Sequence, residues 1–242
     1  MNISIINEVL VLLDDHEKLS LNEINKILKN RTLQTISSAL GRLNSKGWVK
    51  SSGFKNNKDF SITQDGKDEI TNNLSRIREF ENKTWNNKLY VLTFKIPEKI
   101  RKSRDILRKK LNELGYSNLM GDLWINFWDK SKYIQKILKE QNIADKCLLF
   151  CINDISKKDM DNIIKNLTWN KEYLDLEYNK FIKNCEKYLK KPVKGYMAKL
   201  LVYSYSKILA YDPIFPDKYY PDDYIADEAY QYYSKIRPYC YN

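Results

Sequence analysis

The sequence predicts an α+β chain with an N-terminal winged helix-turn-helix, a central ferredoxin-like domain and a helical C-terminal domain. Three observations carry that prediction. Short helical repeats of apolar residues up to position 46 precede two short β-rich runs around a polar basic tip. Residues 85–155 then read as β-α-β-β-α-β, the order of a ferredoxin-like fold. Beyond residue 155 the periodicity is helical, apart from one proline-rich stretch. The expected boundaries are 1–82, 83–155 and 156–242.

Ile3, Ile6, Val9, Leu10 and Leu13 recur at helical spacing, so the first helix is expected over 3–15. Ser20, with Glu23 three residues on, has the spacing of a capping box and opens a second helix through Ile24, Ile27 and Leu28. A turn near Asn30 leads to a third helix over about 32–46. Leu33, Ile36, Leu40 and Leu43 share one of its faces and are expected in the core. Gly47-Trp48-Val49-Lys50 starts a strand, Ser51–Lys58 forms the tip, and Asp59–Thr63 returns as the second strand of a wing. A further helix is expected over 65–81.

The segment Arg31–Lys58 holds six basic residues and no acid. Ordinary solvated helices mix both signs, so an acid-free face points to a polyanion. Arg31, Thr32, Gln34, Thr35, Ser38 and Arg42 are the candidate contacts on the third helix. Arginine suits guanine edges or phosphates, and small hydroxyl residues allow close approach in a major groove. Lys50, Lys55 and Lys58 on the wing are placed for backbone phosphates. Double-stranded DNA is the expected partner. A homodimer is also expected, through the central sheet, because one winged helix reads too few base pairs.

In the central region, Leu89–Ile96 reads as a buried strand ended by Pro97, and 98–114 as a helix stopped by Gly115. Tyr116–Met120 and Leu123–Trp128 flank a turn at Gly121-Asp122, Ser131–Glu140 is helical, and Lys146–Ile152 is the last strand. Lys99–Lys110 carries seven basic residues and one acid; it reads as a solvated helix face, with an additional nucleic-acid contact as the alternative. Helices are then expected over 156–167, 171–190, 195–211 and 225–237. Tyr211–Pro216 and Tyr219–Asp223 hold three prolines, which enforce an extended excursion. Twelve of the 18 tyrosines lie at or after Tyr196. Such a cluster suits a ligand pocket, an interface or a plain core equally.

The formal charge of +11 agrees with a polyanionic partner. No hydrophobic leader and no bilayer-length apolar run is read from the sequence, so a cytoplasmic protein with no membrane association is expected. Cys147, Cys151, Cys185 and Cys240 form no CxxC pair and read as reduced, mostly buried thiols. The single histidine, His16, lies beside Asp14 and Asp15. That scarcity argues against zinc and triad chemistry; no catalytic residue, metal or cofactor is expected.

Trp85 followed by Leu89–Glu98, then Arg101–Arg108 and Leu114-Gly115-Tyr116, resembles the central region of the PaaX-like transcriptional regulators. Tyr211–Pro216 with Tyr220–Tyr224 is similar to that family's C-terminal motif, and Leu33–Val49 to its recognition helix and wing. The resemblance implies a dimeric repressor of operator DNA, released by a small effector that is an aryl-acetyl-CoA thioester in founding members. It also implies that the central domain is Cas2-like. The family's Trp-x-Gly is replaced here by Tyr224-Ile225-Ala226, so the effector does not carry over. The Cas2 likeness opens an alternative, a nucleic-acid-binding or adaptor protein of a CRISPR or defence system. A Cas2-type metal nuclease needs a carboxylate at the end of the first strand. Lys95 stands there, and its ammonium repels a cation.

Overall fold

The structure is a computed structural model that describes residues 4–53, 58–81, 84–167, 169–192 and 195–240. In chain order, the N-terminal stretch carries α1 (Ile5–Asp15), β1 (Leu19–Ser20), α2 (Leu21–Ile27), α3 (Leu33–Ser45), β2 (Val49–Ser52), β3 (Asp59–Ile62) and α4 (Gln64–Glu81). The middle carries β4 (Leu89–Phe94), α5 (Arg101–Glu113), β5 (Ser117–Met120), β6 (Leu123–Asn126), α6 (Ser131–Glu140) and β7 (Cys147–Ile152). Helices α7 (Lys157–Asn166), α8 (Lys171–Leu189), α9 (Tyr196–Leu209) and α10 (Ala226–Ile236) follow.

The chain groups into two compact units. Met1–Arg78, Leu176–Lys207 and Ile225–Asn242 form the first; Glu79–Asp175 and Ile208–Tyr224 form the second. The helices expected to make a third domain are therefore shared out. Met160 of α7 lies in the core of the central sheet, whereas Leu200 and Tyr203 of α9 lie in the core of the N-terminal helices.

In the first unit, β1, β3 and β2 form an antiparallel sheet in that order behind the three N-terminal helices, which is the layout of a winged helix. The expected capping box is present: the Ser20 hydroxyl accepts from the Glu23 amide, and the Glu23 carboxylate accepts from the Ser20 amide at 2.7 Å. Those hydrogen bonds hold the exposed Glu23 carboxyl below its ordinary pKa. Val9, Leu10, Leu12 and Leu13 of α1 pack with Ile24 of α2 and Ile36, Ala39, Leu40 and Leu43 of α3. Leu200 and Tyr203 of α9 join the same core. Leu33 does not; it is 46 % exposed at the first turn of α3. Its position about 60° from the core direction leaves it on the flank, and Ala39 takes the inward place. Late tyrosines of this unit are core residues: Tyr205 stacks on Tyr233 with ring centroids 5.0 Å apart.

The second unit holds a four-stranded antiparallel sheet in the order β5-β6-β4-β7. Strand β4 is central and buried on both faces, which explains its unbroken apolar run. Leu92 and Phe94 meet Leu107 and Leu111 of α5 and Ile134 and Leu138 of α6. Leu89 and Val91 on the other face meet Met160 of α7 and Phe215.

The proline-rich excursion is a packed element of this unit. Asp212 is fully buried; its carboxylate accepts from the Ile214 amide at 2.7 Å and from the Tyr224 hydroxyl at 2.6 Å. That local bond holds Ile214 at φ 48°, a costly conformation for a β-branched residue. The Trp128 indole donates to the Ile214 carbonyl at 2.7 Å. Phe215 is thereby delivered among Phe127, Trp169 and Tyr220. Cys185 and Cys240 are buried free thiols, and burial pushes them up to about 12 and about 11. Cys151, expected among the buried thiols, is exposed on β7.

Candidate nucleic-acid interface

Helix α3 is defined sharply at both ends. Thr32 is its N-cap: the hydroxyl accepts from the Thr35 amide at 3.2 Å and lies 2.8 Å from the Thr35 hydroxyl. At the other end Gly47, at φ 73°, lets the chain reverse. The Gly47 amide donates to the Asn44 carbonyl and the Trp48 amide to the Leu43 carbonyl, the paired bonds of a Schellman motif. The Lys46 ammonium sits 4.2 Å over the Trp48 ring.

The wing leaves directly from this turn. Val49 pairs with Ile62 and Lys50 with Ser61, while Phe60 faces Leu19 of β1 on the other side of β3. The Thr63 amide donates to the Trp48 carbonyl, and its hydroxyl donates to the Gly47 carbonyl at 2.6 Å. Gly66 of α4 lies so close that an added Cβ would stand 2.3 Å from the Trp48 carbonyl oxygen. The base of the wing is thus fastened to α3 and α4 together.

On this frame the predicted contacts fall into three groups. Gln34, Ser38 and Arg42 on α3, with Lys50 and Lys58 on the wing, are exposed. None of those three cations has an ion-pair partner among the described residues. Thr32 and Thr35 are exposed but already engage each other in the cap. Arg31 is different. Its guanidinium donates to both carboxylate oxygens of the buried Glu8, at 2.8 and 2.9 Å, and that bonding raises its pKa further. It lies in the turn before α3 and ties that turn to α1, so its charge is balanced inside the fold. Lys55 lies outside the described residues.

Of the expected contacts on α3, Gln34 and Ser38 lie nearest its outward direction, while Thr35 and Arg42 lie to the side. Counting about 100° per residue from the buried Ile36, Ala39, Leu40 and Leu43, the residues lying within about 30° of the direction straight away from the core are Gln34, Ser38, Gly41 and Ser45. Gly41 is not among the expected contacts, because glycine offers no side chain to make one. The absence of acids in α3 holds: it has none.

Helix α5 is the second basic run, and acids pair with five of its six cations, Lys102 being exposed without an ion-pair partner among the described residues. Arg101 meets Glu98 and Asp105, Arg104 meets Glu98 at 2.8 Å, Arg108 meets Asp122 at 2.7 Å, and Lys109 and Lys110 share Glu113. Lys95, just after β4, is exposed. Elsewhere in the second unit is an open cleft of about 680 Å³, lined by Asn112, Lys171, Tyr173, Tyr211 and Asp212 among others. No helix among the described residues is long and apolar enough to cross a membrane.

Comparison with known proteins bears on the second unit first. Residues 82–164 match the family model of the PaaX protein central Cas2-like domain. The match spans about a third of the chain and covers the β4–β7 sheet with its helices. It supports the PaaX-like resemblance and the Cas2-like character of that region. The chain is also similar in structure to the uncharacterized protein Rv0674 from Mycobacterium tuberculosis, with a TM-score of 0.52 over 85 % of this chain and 80 % of that one. At 12 % identity this likeness shows the fold alone. No curated protein matches the sequence.

Proposed function

We propose that this chain is a DNA-binding transcriptional regulator of the PaaX-like kind, acting as a repressor in the cytoplasm. Helix α3 enters the major groove, Arg42 reaches base edges, and Lys50, Lys55 and Lys58 follow the phosphates. The observation that carries the reading is the acid-free outer face of α3, with three exposed cations whose charge nothing in the described fold balances. The match of the central region to the PaaX family supports it. The reading assigns the chain no catalytic role and no cofactor.

The partner in the dimer is a second copy meeting strand β7. This strand pairs with β4 on one side and has no described strand on the other. Residues Cys147–Ile152 carry no charge, and Leu148 and Phe150 are 67 % and 45 % exposed. An uncharged, apolar, unpaired edge invites another strand, and a two-fold axis can pair it with itself. The cleft of the second unit is the place for a small effector.

Selection of duplexes from a random-sequence library by the purified chain tests the reading. An enriched motif with two-fold symmetry is the expected result. A chain that enriches no duplex yet captures a protein partner would favour the adaptor alternative instead.

A further inference from the structure

Gly41 sits in the middle of α3, on its outward face, and is exposed. A glycine there weakens the helix relative to alanine, because its backbone has more freedom to lose and no side chain to shield the hydrogen bonds. Interior glycines are often explained by crowding, as at Gly66. Gly41 has no such cause: a Cβ built on it meets nothing within 4 Å. Its φ is helical, so no backbone constraint calls for glycine either. Folding alone therefore favours alanine at this position. Nothing among the described residues makes use of the missing side chain.

The dimensions of the proposed complex give its absence a use. An α-helix with its side chains is about 10–12 Å across, and the major groove is about 12 Å wide. The fit is tight, so the residues on the outward row set how deep the helix can sit. Here that row is Gln34, Ser38, Gly41 and Ser45, uncharged and mostly small over the length of the helix. The Ser45 hydroxyl folds back to donate to the Gly41 carbonyl at 3.0 Å, so it does not project. Arg42 flanks Gly41 and is free to reach sideways.

We propose that Gly41 is the point of closest approach between this protein and DNA. Helix α3 then lies lengthwise in the major groove, with its midpoint against the bases, instead of dipping in its first turn alone. This inference rests on the DNA-binding reading and adds a specificity-determining residue to it: the glycine selects for depth, and Arg42 reads from the depth reached.

The test uses the full chain and the duplex it enriches from a random-sequence library. Gly41→Ala is expected to raise the melting temperature by about 2–4 °C while weakening binding roughly tenfold. The slope of affinity against salt should stay as in the wild type, because no phosphate contact is lost. Gly41→Leu should weaken binding further with the fold intact. If Gly41→Ala binds as tightly as the wild type while Arg42→Ala binds weakly, the interface stands and the closest-approach assignment is wrong. If Gly41→Ala melts lower than the wild type, the glycine serves the fold and the inference is overturned. A wild-type chain that enriches no duplex removes the DNA reading itself, and the inference with it.

Discussion

The α3–wing segment and helix α5 are the two basic runs of this chain, and they differ in what their cations meet. On α5, five of the six cations, all but Lys102, have a carboxylate within ion-pair distance. On α3 and the wing, Arg42, Lys50 and Lys58 have none among the described residues. Counting cations along the sequence does not separate the two. Local balance does, because a surface whose charges are paired projects little field toward a distant polyanion. The strongest way to break this contrast is to remove the unbalanced charges. Replacing Arg42, Lys50 and Lys58 together by alanine should lower duplex affinity about 100-fold or more at moderate salt. The log–log salt slope should shrink by about two to three. Titrations at several salt concentrations measure both.

Arg31 is the exception that sharpens the rule. It belongs to the α3 segment by sequence and to the α5 class by environment, since Glu8 holds it from two sides. Arg31→Ala leaves a buried carboxylate without that partner. A fully buried pair broken this way costs about 3–5 kcal/mol; with Arg31 partly exposed, about 2–3 kcal/mol is expected. A fall in melting temperature of roughly 4–12 °C follows. Unchanged melting with lost DNA binding would instead return Arg31 to the DNA face. A somewhat smaller loss is expected at Gly66, where alanine drives a Cβ into the Trp48 carbonyl and the Ile62 side chain. Overpacking of this kind costs about 1–3 kcal/mol. Because the clash lies at the base of the wing, binding should fall along with stability, read by melting and titration of the same sample.

Much of this was legible in the sequence, for identifiable reasons. Ser20 and Glu23 announced a capping box because that motif depends on residues three apart and on nothing distant. Residues Ser131–Glu140 matched α6 end to end because its apolar spacing is regular and its flanks are polar. The β4 run was legible because a strand covered on both faces needs no alternation. Three of the misses depended on partners elsewhere along the chain. Arg31 looked like a free cation because Glu8 lies 23 residues earlier, on another helix. Asp212 looked like part of an extended linker because its acceptor role needs Tyr224 to fold back over it. Leu200 and Tyr203 looked like members of a separate domain because the other buried residues of their core lie between Val9 and Ile70. Gly41 is not legible as a contact, because glycine offers no side chain with which to make one.

The smallest expected effect is the one that most directly tests the contrast. Arg101 and Lys109 are exposed members of the α5 network, paired at 3.5 and 3.9 Å with Asp105 and Glu113. Exposed pairs of this kind contribute less than about 0.5 kcal/mol each, so Arg101→Gln with Lys109→Gln should move the melting temperature by at most about 4 °C. The double variant removes two positive charges, comparable to the charge lost on the wing when Lys50 and Lys58 are replaced. If formal charge governed association, both pairs of substitutions would weaken binding alike. Where local balance governs it, removing the α5 pair leaves Asp105 and Glu113 less compensated but takes away no phosphate contact. The salt slope should then equal that of the wild type, while the wing pair lowers it by about two. A slope that falls for the α5 variant would mean that its cations leave their carboxylates for phosphates, and the distinction drawn between the two basic runs would be lost.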